Sequence, residues 1–138
     1  MKVEEHEQAY QEHVKNLNNA IEEGISENQR NIGYNISQGS VELLAIYLHK
    51  LRLFQGSGDQ LDHRIFKNKN LIEKKISPEF ISRNKILELM RIIETERNLV
   101  CYGKRKSEEK INIMIKAFQE LRRIINENLK EKKNGNSK

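Results

Sequence analysis

The chain has no tryptophan, a single cysteine (Cys101), and only four tyrosines and four phenylalanines in 138 residues. One cysteine excludes an internal disulfide and fits a reducing compartment. Scarce aromatics leave burial to Ile and Leu. No apolar run approaches the length needed to cross a bilayer, and Met1-Lys2-Val3-Glu4-Glu5-His6 is too acidic and polar for a secretory signal, so a cytoplasmic protein is expected. Metal-ligand spacing is also missing. His6 and His13 stand seven apart and His49 and His63 stand alone, which predicts no metal and no cofactor. Gly56-Ser57-Gly58 lacks the Lys-Ser/Thr and the preceding strand that a phosphate loop requires. There is no strand alternation and no internal repeat.

What is present is charge and helical periodicity. Charged residues make up 33% of the chain and hydrophobic residues 36%, so any core is built from narrow apolar stripes. The length is sufficient for one domain with a real core. Residues 1–27 hold Lys2 and Lys15 against seven glutamates, a balance of −5, and the remainder therefore carries +10 of the overall +5. This asymmetry fits a polyanion-binding face away from an acidic first helix; a Lys/Glu/Ile-rich composition gives the same look without a ligand.

The spacing of Ala9, Tyr10, Val14, Leu17, Ala20 and Ile21 predicts a first helix over 4–23, closed by Gly24. Ser26 to Gln29 has the form of a capping box for a second helix running to about Phe54. That helix is the most apolar and should be central, with Gly33 and Gly39 marking close helix approach or a kink. Gln55 to Asp59 reads as a loop, followed by a short helix near residues 62–75. Ser77-Pro78-Glu79 reads as the start of a long helix ending at Tyr102-Gly103, and Ser107 as the cap of the last. The fold class is all-α, an antiparallel bundle of four long helices plus a short one. Residues 1–130 form the single domain, and 131–138 a disordered basic tail.

The chemistry concentrates in Glu96-Arg97-Asn98-Leu99-Val100-Cys101-Tyr102-Gly103, followed by Lys104, Arg105 and Lys106. An arginine, an amide and a phenol at one helix end can converge on a phosphate. The same Arg97 and Asn98 can instead simply solvate a helix C-terminus, and Tyr102 can be a packing residue. Lys104, Arg105 and Lys106 add salt-sensitive affinity for nucleic acid without reading sequence. Cys101, with no nearby base, reads as a small apolar residue. Glu42, beside the apolar stripe of the second helix, needs a partner: Arg97 across the bundle, or a residue of its own helix. His63 is either an acid–base group aided by Asp62 and Arg64 or a loop histidine capping a short helix.

Taken in order, these features resemble the HEPN family of small helical RNA-processing domains over roughly residues 5–130. The resemblance rests on Gly39 to Leu48 as the central small-residue helix, on Asp62-His63-Arg64-Ile65-Phe66 opening the short helix, on Arg97-Asn98 followed by Tyr102-Gly103, and on the Ser107-capped final helix. It implies a homodimer in which two copies of the motif line one groove. Active members of the family cut RNA without metal, through attack of a 2′-hydroxyl on the adjacent phosphorus, using an arginine and a histidine. Carried across, Arg97 holds phosphate and Asn98 orients it or the sugar. Tyr102 stands where the family has histidine. A phenol with a pKa of about 10 is a poor base at neutral pH, so the expectation is RNA or nucleotide-phosphate binding with weak or absent cleavage. Two alternatives remain. One is a metal-independent endoribonuclease of toxin type using Arg97 with Tyr102 or His63. The other is a non-catalytic module paired with a nucleotidyltransferase, as in the family's toxin–antitoxin pairs.

Overall fold

The computed structural model describes residues 2–53, 61–76 and 79–136, with side chains up to 132. All regular structure among them is helical: α1 (Val3–Glu23), α2 (Gln29–Lys50), a 3-10 turn (His63–Lys67), α3 (Lys69–Lys75), α4 (Arg83–Val100) and α5 (Glu108–Asn136). No helix among the described residues is long and apolar enough to cross a membrane. The expected loop over 55–59 and the Ser77-Pro78 helix start lie mostly or wholly outside the described residues.

Helix α2 is the centre, as its apolar content requires. Its residues Ile32, Ile36, Leu44, Tyr47 and Leu48 are fully buried, and α1, α4, α5 and the 3-10 turn all pack on it. Opposite them stand Ile86, Met90 and Ile93 of α4 and Ile111, Met114, Leu121 and Ile125 of α5. The two glycines of α2 are points of close approach. A Cβ on Gly33 would come within 2.9 Å of both Val100 Cγ1 and Cys101 Sγ. One on Gly39 would stand 3.4 Å from the His13 Cβ and 3.5 Å from the Phe118 ring.

Four boundaries depart from the sequence expectation, each for a local reason. Helix α2 stops at Lys50 because Arg52 takes a left-handed conformation (φ 62°), so that Leu53 N–H donates to Leu48 O and Arg52 N–H to His49 O. This is the usual closure of a helix, with arginine where glycine is the common choice. Residues Ser26–Gln29 do not form the capping box: the helix begins at Gln29 behind Asn28, and Gln29 spends its side chain elsewhere. Helix α4 begins at Arg83, behind a left-handed Ser82 (φ 64°), with the described residues 79–82 outside the helix. The described part of the expected tail continues α5 to Asn136, since Lys130, Glu131 and Lys132 are good helix formers.

The late start of α4 follows from Tyr47. Its hydroxyl donates to Ile81 O (2.9 Å) and accepts from Asn128 Nδ2 (3.1 Å), while the Phe80 ring stands edge-on to it. Arg83, also buried, donates to Ile76 O (2.7 Å) and Glu73 (3.2 Å), joining the end of α3 to the start of α4. Removing the phenol orphans the Ile81 carbonyl, so Tyr47→Phe should cost about 1–3 kcal/mol in urea unfolding. Burial also pushes the Tyr47 phenol above its usual pKa, against a smaller pull from Asn128. Its contribution is therefore complete below about pH 10 and lost as pH rises through the folded-state value. The phenylalanine variant should lose less stability than wild type over that alkaline range.

Candidate functional site

The periodicity of α4 places Glu94, Arg97 and Cys101 on the face turned toward α2, where Gly33 lets the two backbones come close. Arg97 is consequently buried, with 7% of its surface exposed. Its Nη1 donates to Ser37 Oγ at 2.8 Å, and its guanidinium carbon lies 5.8 Å from the Tyr34 ring centroid. Nε is enclosed without an acceptor. Among the described residues no carboxylate stands within ion-pair distance of this guanidinium. A buried cation with one neutral acceptor and one aromatic ring is poorly compensated, because desolvation penalises it by several kcal/mol.

Glu94, one turn earlier, is occupied by His63. The imidazole Nδ1 lies 2.9 and 3.1 Å from the two carboxylate oxygens, and the carboxylate is almost wholly buried. The acidic neighbour foreseen for His63 has another task. Asp62 caps the 3-10 turn through Arg64 N–H and holds the Arg64 side chain, and these bonds keep its carboxyl well below the usual carboxylate range. Cys101 reports the charges around it. Burial pushes its thiol up, Arg97 draws it down, Glu94 raises it and Arg30 lowers it. A protonated, half-buried thiol is a packing group, in keeping with its reading from sequence.

The segment after α4 is strapped to the start of α2. Gln29 Nε2 donates to Val100 O (3.0 Å), and Gln29 Oε1 accepts from Lys106 N–H (2.8 Å). Arg105 donates to Ser26 O (2.6 Å), and Arg30 reaches Gly103 O at 3.4 Å. Gly103 turns the chain with φ 79°, where a side chain would be strained. Between strap and helix lies a cleft of about 390 Å³, lined by Glu27–Asn31, Gly103 and Arg105. Arg30, Tyr34 and Ser37 follow one another along successive turns of α2, and of the three only Arg30 lines the cleft.

The motif residues do not converge as their spacing suggests. Asn98 is exposed, rotated about 100° from Arg97 by one helical step, and Tyr102, beyond the helix end, is 61% exposed. Neither side chain makes a hydrogen bond to the other described residues. Lys104 and Arg105 are exposed, and Lys106 is half-buried. Glu42 pairs neither with Arg97 nor along its own helix. It meets His6 of α1 at 2.6 Å, because its position faces α1 while Arg97 meets α2 more than a turn earlier, at Ser37. Among the described residues no three His, Cys, Asp or Glu side chains gather as a metal site.

Three contributors went unseen in the sequence reading: Tyr34, Ser37 and Gln29. A signal was available, since Arg30, Tyr34 and Ser37 recur at helical spacing and flank Gly33. Comparison with protein-family models, with curated proteins and with solved structures finds no match to this chain.

Proposed function

We propose that the chain is a HEPN-like homodimer that binds RNA or a nucleotide through its phosphate, with weak or absent nuclease activity. The observation that carries this reading is the buried guanidinium of Arg97, which has no carboxylate within ion-pair distance among the described residues and an Nε without an acceptor, in a chain whose basic strap of Lys104, Arg105 and Lys106 follows the same helix. A phosphate supplies the missing counter-charge, and hydrogen bonds between ions are about twice as strong as neutral ones. The outward face of α4 is open to self-association, although Arg97 is turned away from it toward α2, so pairing there leaves each Arg97 within its own subunit. Leu99 is exposed on that face, which carries a groove lined by Glu88, Arg91, Ile92, Thr95 and Glu96, and Tyr102 is exposed just beyond the helix end.

A second reading, the metal-independent endoribonuclease, is favoured by the His63–Glu94 pair. A buried carboxylate at Nδ1 fixes the ring and leaves Nε2 to handle a proton, whereas Tyr102 is a poor base. Fluorescence anisotropy with a labelled 20-mer RNA at low salt tests the first reading. Arg97→Ala should weaken binding by about tenfold or more while the helical circular dichroism is retained; unchanged affinity contradicts it. Incubating the same RNA with wild-type protein in EDTA separates the two. Cleavage that is lost in His63→Ala favours the enzyme.

A further inference from the structure

We propose that Tyr34 is a base-stacking residue, and that the ligand of this site is an unpaired nucleotide of single-stranded nucleic acid, not a duplex. The inference rests on the phosphate-binding reading of Arg97 and adds to it the class of strand.

Tyr34 is 48% exposed, although it sits in the central helix, whose other aromatic, Tyr47, is fully enclosed. Its ring is held from two sides. The Arg97 guanidinium lies over it at 5.8 Å, and the His13 imidazole meets it at 5.8 Å with the planes 70° apart. His13 is itself fixed, its Nδ1 lying 2.9 Å from Asn35 Oδ1, while Asn35 Nδ2 donates to Asn31 O at 2.8 Å. The amide therefore presents its oxygen to the imidazole, and the ring that orients Tyr34 cannot swing freely. The outcome is a partly open aromatic surface of set orientation, beside a guanidinium that has no carboxylate within ion-pair distance among the described residues.

This combination is what an unpaired nucleotide meets well. A base has a π face that stacks on a tyrosine whatever its identity, and its phosphate is an anion within reach of a neighbouring arginine. The bases of a duplex are already stacked on each other and have no free face to offer. Bare polyanions satisfy the arginine and the strap but gain nothing from the ring. The +10 balance of residues 28–138 explains attraction to any polyanion; only Tyr34 distinguishes among them.

The absence of tryptophan makes the test specific, because Tyr34→Trp introduces the sole indole of the chain. The full-length variant is titrated with single-stranded oligo(A) of 12 nucleotides, with a 12-base-pair duplex, and with inorganic polyphosphate. The single strand should quench the emission and bind at least tenfold tighter than the duplex, and polyphosphate should bind without comparable quenching. In parallel, Tyr34→Ala should lose about tenfold more affinity for oligo(A) than for polyphosphate. Binding of oligo(A) with no more quenching than polyphosphate, or an equal loss for both ligands in Tyr34→Ala, overturns the stacking role and leaves phosphate binding standing. If neither ligand binds, the phosphate reading falls and this inference with it.

Discussion

Arg97→Met should give a protein at least as stable as wild type, with a gain on the order of 1 kcal/mol and a melting temperature higher by about 4 °C. The sign is the informative part, since most substitutions of buried residues destabilise. Here the native side chain is a cation with 7% of its surface exposed, one hydroxyl acceptor and an enclosed Nε. Methionine keeps the length of the stem and removes the desolvated charge. The same variant should lose any stabilisation by added phosphate or nucleotide, which for wild type reaches about 2.7 kcal/mol at a hundredfold excess over Kd. A residue that raises stability when removed, and is the route by which ligand stabilises, is there for binding. A melting temperature several degrees below wild type would instead mean that the bundle needs the guanidinium.

Gly33→Val should be the most damaging single change proposed, costing about 3 kcal/mol or more in denaturant unfolding. A Cβ at 33 already falls within 2.9 Å of Val100 Cγ1 and Cys101 Sγ, and valine adds two further methyl groups at the point where α2 and α4 cross. Val100 is fully buried and has no room to withdraw. The gain in helix propensity over glycine, at most about 1 kcal/mol, is too small to offset this. Substituting Gly39 by alanine is the control. There the nearest atoms stand at 3.4 and 3.5 Å, tight but close to ordinary contact, and the loss should be much smaller. Pairing Gly33→Val with Val100→Ala should recover part of the stability, which identifies the crossing as the cause.

The helices and the central place of α2 were legible because apolar spacing and burial are the same quantity seen twice. Glycine 33 was legible too, since its cost inside a helix demands a packing reason. The end of α2 was not, because Arg52 adopts a conformation that glycine normally signals. The start of α4 at Arg83 carries no local signal, because it is set by Tyr47 and Asn128 from distant parts of the chain. The site divides in the same way. Arg97 stands out at its own helix end, whereas Tyr34 and Ser37 are marked only by their spacing around Gly33, and spacing along one helix does not say which neighbouring helix those residues meet. Glu42 failed as a partner for the same reason: helix periodicity gives the face, and only packing shows that this face meets α1 and His6.

The account turns on whether the guanidinium of Arg97 takes an anion. The most direct measurement follows the Nε–H resonances of the arginine side chains by nitrogen-15 NMR while adenosine monophosphate is added. A saturable shift or sharpening at Arg97, at concentrations that leave Arg91 and Arg123 unmoved, is the predicted result. Shifts confined to the exposed strap around Lys104 and Arg105, with the Arg97 resonance unchanged at saturation, would contradict it.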